Sequence, residues 1–344
     1  MAALDLSNPW VQIIFSSMSI GLVTIFVGLR LYAYLTCGVC KTKNRMDGKT
    51  VLITGANGGI GKETARELAK RGAKVIMACR NMKTAQAAQE EIIKETGNKN
   101  VIVKNLDLGS QRSVREFAED IIKTEDKLDV LIHNAGMALA FSKAKSEDGI
   151  ELTMATNHYS PFLLTHLLID LLKKPAHARI VIVASELYRF ASVNVRNLNP
   201  INTFPPAYIY YVSKFCNIYF GRELAVRLEN TNITVNMLHP GMIDSGIWRN
   251  VPFPLNYAMM FLTKGFFKTP EQGAQTTIYL ATAEELRETT GKYFMDCKER
   301  ELSEEAMNEN IGKLLWEKSV IMSHLKRTDP QILSKEGGYS KLLS

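Results

Sequence analysis

Several things are scarce in this chain of 344 residues, and each scarcity removes a class of protein. There are five cysteines, at 37, 40, 79, 216 and 297, an odd number without the dense, regular spacing of a disulfide scaffold. A reducing compartment fits that usage. Cys37 and Cys40 form a C-x-x-C, but no second Cys or His pair accompanies them to complete a zinc site, so no metal is expected. They read instead as two small residues beside an apolar segment, on the side where acylation can occur. No run of Lys and Arg interleaved with aromatics marks a nucleic-acid groove. The basic residues are scattered among acids along helical stretches such as 62–72, and the net charge of +7 does not by itself choose an anionic partner. Internal repeats and low-complexity linkers are missing too, which excludes a solenoid or a string of small modules.

Charge is absent altogether from Trp10 to Leu29. A helix rising ~1.5 Å per residue crosses a hydrocarbon core of ~30 Å in ~20 residues, so this stretch is long enough to span. The residues before it hold Asp5 and no Lys or Arg, unlike the basic start of a cleaved signal, so a retained anchor is expected. Arg30, Lys41, Lys43 and Arg45 follow, and the positive-inside bias puts that side in the cytosol, with Tyr32 and Tyr34 at the interface. Four hydroxyls, Ser16, Ser17, Ser19 and Thr24, weaken the span and leave open a helix lying in one leaflet. The expected location is a membrane, the endoplasmic reticulum, with the remaining chain facing the cytosol.

From Lys49 onward, apolar runs alternate with amphipathic helical stretches: VLITG, KVIMAC, VIVKNLDL, VLIHNAG, RIVIVAS and ITVNMLHP. That rhythm predicts an α/β fold with a parallel sheet. The runs are apolar at nearly every position, as strands covered on both faces must be, so the sheet is a doubly wound, Rossmann-type one. We divide the chain into an anchor with its basic flank (1–45), one catalytic domain (46–325) and a polar tail (326–344). Late in the domain, Thr269 as N-cap, Pro270 in the first turn and Gln272 begin a helix.

The first strand runs into Gly55, Ala56, Asn57, Gly58, Gly59, Ile60 and Gly61, with a helix predicted from Lys62. Glycines let the backbone turn and approach a pyrophosphate closely, and the helix N-terminus supplies free N–H groups. A dinucleotide carrying an unmodified ribose needs an acid at the end of the second strand, ~20 residues on. This chain has Cys79, Arg80 and Asn81 there. No acid repels a 2′-phosphate, Arg80 can pair with one, and Lys62 can add a point charge, so NADP(H) is expected.

Tyr210 and Lys214 form a Y-x-x-x-K, which on a helix puts both on one face, one turn apart. A phenol, with a reference pKa of ~10, moves a proton near neutrality when a fixed cation stabilises its phenolate. Lys214 can be that cation.

The spacing of Gly55, Gly59 and Gly61 resembles the T-G-x-x-x-G-x-G of the short-chain dehydrogenase/reductase family, and other motifs agree in order. Asn134-Ala135-Gly136 stands where that family has Asn-Ala-Gly, although His133 replaces the usual preceding Asn. Asp107 matches the acid that holds the adenine amino group; a turn-capping Asp fits it equally well. Ser185 aligns with the serine that holds the substrate oxygen, followed here by the unusual Glu186. Asn157 resembles the asparagine whose helix kink seats a relay water, which completes a tetrad with Ser185, Tyr210 and Lys214. The resemblance also puts Lys214 on the nicotinamide ribose, and Pro240, Gly241 and Ser245 at the turn beside the nicotinamide.

The anchor and the late KTPEQGA segment look like the retinol dehydrogenase branch, types eleven to fourteen. That resemblance implies hydride transfer between a nicotinamide and a lipophilic alcohol or carbonyl, with a retinoid foremost and a steroid or long-chain aldehyde as runner-up. A homodimer is allowed for. Apolar residues from Gly246 to Phe267 are expected to cover the substrate, with a packing helix over Tyr257–Leu262 as the plain alternative. An idle cofactor-binding membrane scaffold is the competing class of function.

Overall fold

A computed structural model describes residues 9–139, 142–203, 205–243 and 267–333. The six apolar runs are strands β1 (Thr50–Thr54), β2 (Lys74–Cys79), β3 (Val101–Asn105), β4 (Val130–His133), β5 (Ala178–Val183) and β6 (Ile233–His239). Two short strands, β7 (Tyr293–Met295) and β8 (Lys298–Arg300), extend the sheet, whose order is β3-β2-β1-β4-β5-β6-β7-β8. Pairing is parallel as far as β7, and β8 returns antiparallel through a tight hairpin. The sequence reading omits both strands, because three residues are too few to establish a period.

Helices cover both faces. The helices among the described residues are α1 (Pro9–Thr36), an apolar helix not buried against the sheet, and α2 (Gly59–Lys70), α3 (Met82–Thr96), α4 (Gln111–Thr124), α5 (Leu152–Met154), α6 (Ser160–Leu172), α7 (Ala207–Arg227), α8 (Pro270–Thr282) and α9 (Glu309–Met322). Successive strand side chains point to opposite faces, and here both faces are buried. Leu52, Ile76, Leu131 and Ile180 pack under α4, α6, α7 and α9 with Phe162, Phe215 and Trp316. Val51, Ile53, Val75 and Met77 pack under α2, α3 and α8 with Leu68 and Ala281. This is why the runs show no alternation. Of the six long strands only β3, at a sheet edge, is partly open along its length, and the short β8 at the other edge is exposed. Truncating a side chain such as Phe162 to Ala would cost about 3–5 kcal/mol.

The start of α8 follows the sequence expectation: Thr269 and Gln272 form a reciprocal capping box, with Pro270 at the first helical position. Beyond α9 the chain stays packed. Arg115 and Asp329 pair at 2.9 Å, and Ile332 is buried. Strand order reverses between β1 and β4, so a crevice opens at their C-terminal ends, where open α/β sheets bind ligands.

Candidate active site

The glycine loop lies at that crevice. Helix α2 begins at Gly59, three residues earlier than expected, so the glycines themselves form its first turn. Gly55 and Gly59 have φ of +68° and +54°, the left-handed region that suits glycine. A Cβ on Gly61 would collide with Asn134 Nδ2 and come within 2.5 Å of the Gly55 carbonyl oxygen. Helices α3, α4, α8 and α9 each have a side-chain N-cap, from Asn81, Ser110, Thr269 and Asn308. Helix α2 has none, and no atom of the described residues lies within 4 Å of where a Cβ on Gly58 or Gly59 would stand. Uncapped N–H groups at the N-terminus of a helix fit a bound pyrophosphate.

Asn134 serves this loop from behind. Its Nδ2 donates to the Thr54 and Gly55 carbonyls at 2.8 and 3.3 Å, while Thr54 Oγ1 accepts from the Asn134 and Ala135 N–H groups. It acts as a strap holding the loop. Asn57 donates to Thr84 Oγ1 at 2.8 Å, which brings the end of β2 alongside the loop. Cys79 lies beneath, where burial pushes its thiol up to about 11 while the Ala56 and Asn57 N–H groups oppose that rise.

Arg80 is exposed at the end of β2 and has no hydrogen bond or ion pair among the described residues. Lys62 Nζ is paired with Glu91 Oε2 at 2.6 Å. Asp107 lies two residues beyond β3, and its Oδ1 accepts from Gly109 N–H at 2.8 Å. The turn-capping use is therefore real, with the second carboxylate oxygen left over. His133 is a core residue: Nε2 bonds Thr165 Oγ1 at 2.8 Å, and burial drives its pKa down to about 3.

The other half of the site stands on α7. Tyr210 and Lys214 lie one turn apart near its start, as expected. Lys214 Nζ donates to the Val183 carbonyl at 2.8 Å and lies 5.6 Å from the centre of the Tyr210 ring. Gly136 comes so near that a Cβ there would be 3.2 Å from Nζ. Ser185, just past β5, lies near enough to the Tyr210 phenol to bear on its ionisation, and it accepts from Leu187 N–H at 3.3 Å. Burial pushes Tyr210 up to about 12, with Ser185 opposing, and drives Lys214 down to about 8. The simple expectation of a phenol depressed by its lysine is thus reversed, because removing both groups from water favours both neutral forms. Lys214 is still mostly protonated at neutral pH.

Asn157 lies in a π-helical turn, Ala155–Tyr159, between α5 and α6. The wider turn is the kink read from the sequence, and such bulges gather at functional sites. Asn157 accepts from Met137 N–H at 2.8 Å and donates to the Met137 carbonyl and Ser213 Oγ, each at 2.9 Å. Ser213 Oγ in turn donates to the Tyr210 carbonyl at 2.7 Å, so Asn157 braces both the loop after β4 and the start of α7 that carries Tyr210. The neighbouring Tyr208 points elsewhere, accepting from Ser192 N–H at 3.1 Å.

Glu186, the unusual neighbour of Ser185, is held by two partners: Oε2 accepts from Tyr293 O–H at 2.9 Å, and Oε1 pairs with Arg189. One group escaped the sequence reading. His239, at the end of β6, is buried with Nδ1 lacking any partner among the described residues. No local signal separates that histidine from an ordinary strand residue. Gly241 has a φ of +94°, and the Lys268 side chain passes where its Cβ would be. Ser245, the covering segment 246–266 and the Tyr257–Leu262 helix lie outside the described residues.

Comparison with known proteins agrees with this arrangement. The short chain dehydrogenase family matches residues 49–253. Human retinol dehydrogenase 14 is 45% identical over 292 residues, which cover 80% of this chain and 87% of that protein. An uncharacterized protein from Mycobacterium paratuberculosis shares the fold at 30% identity with a TM-score of 0.67, covering 83% of this chain and 98% of that one. A short chain dehydrogenase from Shigella flexneri 2a, solved with NADP, matches at 25% identity with a TM-score of 0.59, covering 75% of this chain and all of its own. The chain belongs to the short-chain dehydrogenase/reductase family of nicotinamide-dependent oxidoreductases, on the branch that holds the retinol dehydrogenases.

Proposed function

We propose that this protein is a membrane-tethered, NADP(H)-dependent oxidoreductase that interconverts a lipophilic alcohol and its carbonyl, with retinol and retinal as the pair. The observation that carries the reading is the meeting of Tyr210, Ser185 and Lys214 at the same sheet end as the uncapped glycine loop. The bound nicotinamide supplies the hydride acceptor or donor. Everything else falls to the chain. Gly55, Asn57, Gly58, Gly59, Ile60 and Gly61 cradle the pyrophosphate, and Asn134, Ala135 and Gly136 hold that cradle in shape. Arg80 pairs with a 2′-phosphate, and Asp107 offers its second oxygen to the adenine. Pro240, Gly241 and Ser245 form the turn beside the nicotinamide.

Ser185 holds the substrate oxygen, and Tyr210 exchanges a proton with it. A phenol pushed up to about 12 is a neutral donor, which suits protonation of the oxygen as a carbonyl is reduced. Lys214, still cationic at neutral pH, stabilises the phenolate left behind and contacts the ribose. Asn157 keeps the relay geometry. The apolar helix α1, followed by Arg30, Lys41, Lys43 and Arg45, supports an anchor in the endoplasmic reticulum with the catalytic domain in the cytosol. The retinoid assignment is supported by the relative's printed name and by a tether that keeps the domain beside dissolved lipids.

The test is cofactor consumption by the purified full chain in lipid nanodiscs with retinal, steroid and long-chain aldehyde panels, each with NADPH and NADH. Retinal reduction with NADPH is expected. Tyr210→Phe should abolish turnover while NADPH still binds. Binding without turnover of any panel member by the unaltered chain would mark it as a scaffold.

A further inference from the structure

The segment between the anchor helix and the sheet is not a free linker. Helix α1 ends at Thr36, and two residues later Gly38 N–H donates to Asp296 Oδ1 at 3.0 Å. Gly38 fits so closely that any Cβ would collide with the Asp296 backbone. Cys40 N–H then donates to Gln275 Oε1 at 3.1 Å, and Asn44 Nδ2 donates to the Thr282 carbonyl at 2.9 Å. The chain thus descends the length of α8, from the hairpin that follows β7 to the N-terminal edge of β1. Its upper end belongs to the active-site end of the domain. Asp296 also pairs with Lys268, whose side chain passes under Gly241.

The helix dimensions fix how near this end lies to the lipid. If Trp10–Leu29 fills the hydrocarbon, the seven helical residues from Arg30 to Thr36 add about 10 Å. Headgroup layers extend roughly 5–8 Å beyond the hydrocarbon on each side. Two residues of chain reach at most about 7 Å, so the Gly38–Asp296 contact lies no more than about 12 Å beyond the headgroups. The same end of the domain exposes Phe190, just after Ser185 and Glu186, at 72%, Met242, just after Gly241, at 61%, and Val39 at 59%. Apolar side chains left open where a domain must meet a bilayer have an occupant for their surface.

We propose that residues 37–44 splint the catalytic domain to the anchor, so that the C-terminal ends of its strands face the headgroups and Phe190 and Met242 enter the lipid interface. The partner of this face is the bilayer itself. Substrate dissolved in the membrane then reaches Ser185 and Tyr210 without passing through bulk water. The inference rests on reading α1 as membrane-inserted.

The experiment places the photo-crosslinking residue benzoylphenylalanine singly at Phe190, Met242, Ile122 and Trp10 of the full chain, reconstituted in phosphatidylcholine/phosphatidylserine vesicles. Lipid adducts are measured by mass spectrometry. Ile122 is the control, because it is 50% exposed near the C-terminal end of α4, at the opposite end of the sheet. Adducts at positions 190 and 242 are expected at fivefold or more the level at 122, with strong labelling at 10. Labelling at 10 with 190 and 242 no higher than 122, or crosslinks at 190 and 242 to protein in place of lipid, overturns the splint and leaves the anchor intact. Loss of labelling at 10 overturns both. A twelve-residue Gly-Ser insertion between Thr36 and Cys37 keeps the docked contacts but frees the domain. It should bring 190 and 242 down to the level at 122 while turnover of a water-soluble aldehyde is retained. Undiminished lipid labelling after the insertion also overturns the splint.

Discussion

Mild acid should unfold this protein, and four buried histidines set the size of the effect. Burial drives His133 down to about 3, and His158, His166 and His239 down to about 4, from an unfolded value near 6.5. All four are neutral in the folded state, and His133, His166 and His239 each have a ring nitrogen with no partner among the described residues. His158 is bonded on both nitrogens, to Asn217 Oδ1 and Ser319 Oγ, in an arrangement that holds α7 and α9 against the π turn. Because the folded pKa lies below the unfolded one, the unfolded chain binds more protons between pH 6.5 and about 4, and stability falls as pH drops through that window. The loss per group is about 1 kcal/mol at pH 6 and about 2 kcal/mol at pH 5, so the four together remove roughly 8 kcal/mol by pH 5. A domain holds about 5–15 kcal/mol in all.

Glu151, raised by burial, opposes this trend as a single group, while Asp296 and Asp329, held low by Lys268 and Arg115 against the effect of burial, titrate below the window. The assay is denaturant unfolding in mild detergent at pH 7, 6 and 5, followed by fluorescence of the buried Trp316. Its pH slope should correspond to uptake of about three to four protons on unfolding near pH 5. An unfolding free energy at pH 5 within about 2 kcal/mol of that at pH 7 would refute the reasoning. In His158→Gln the pH dependence should shrink by about a quarter.

Arg80→Asp should move coenzyme preference toward NAD, read as the ratio of kcat/KM with NADPH and NADH; an unchanged ratio removes Arg80 from the 2′-phosphate. Gly61→Ala, whose methyl would strike Asn134, should cost about 1–3 kcal/mol of stability and weaken coenzyme binding, measured by thermal shift with and without NADPH. Lys214→Met should abolish turnover and alter the pH dependence of stability. With a folded pKa of about 8 below the usual 10.5, the unaltered chain gains stability as pH rises from 8 toward 10, and the variant should lose that gain.

The local requirements were legible in order along the chain. Tyr210 and Lys214 share a helix face because 3.6 residues make a turn, and the glycine spacing implied a loop that only small residues can form. The six long strands showed as continuous apolar runs because both faces of each are covered. What depended on distant partners was not legible. Lys62 looked free for a phosphate until α3 brought Glu91 beside it. Nor did spacing show that Asn134 straps the glycine loop from behind through the Thr54 carbonyl. Glu186 is held by Tyr293, 107 residues away, on a strand too short to show a pattern.

The ionisation of Tyr210 and Lys214 was likewise decided in three dimensions. Spacing put a cation one turn from a phenol, but packing controlled their exposure to water, and desolvation moved the two pKa values in opposite directions, each favouring the neutral form. The juxtamembrane segment makes the same point. Its composition marks an apolar helix and a basic flank, whereas its direction along α8 follows from hydrogen bonds to residues more than 230 positions away. Sequence alone determines what each segment can form locally. Which groups lose water and which meet one another is a property of the assembled fold.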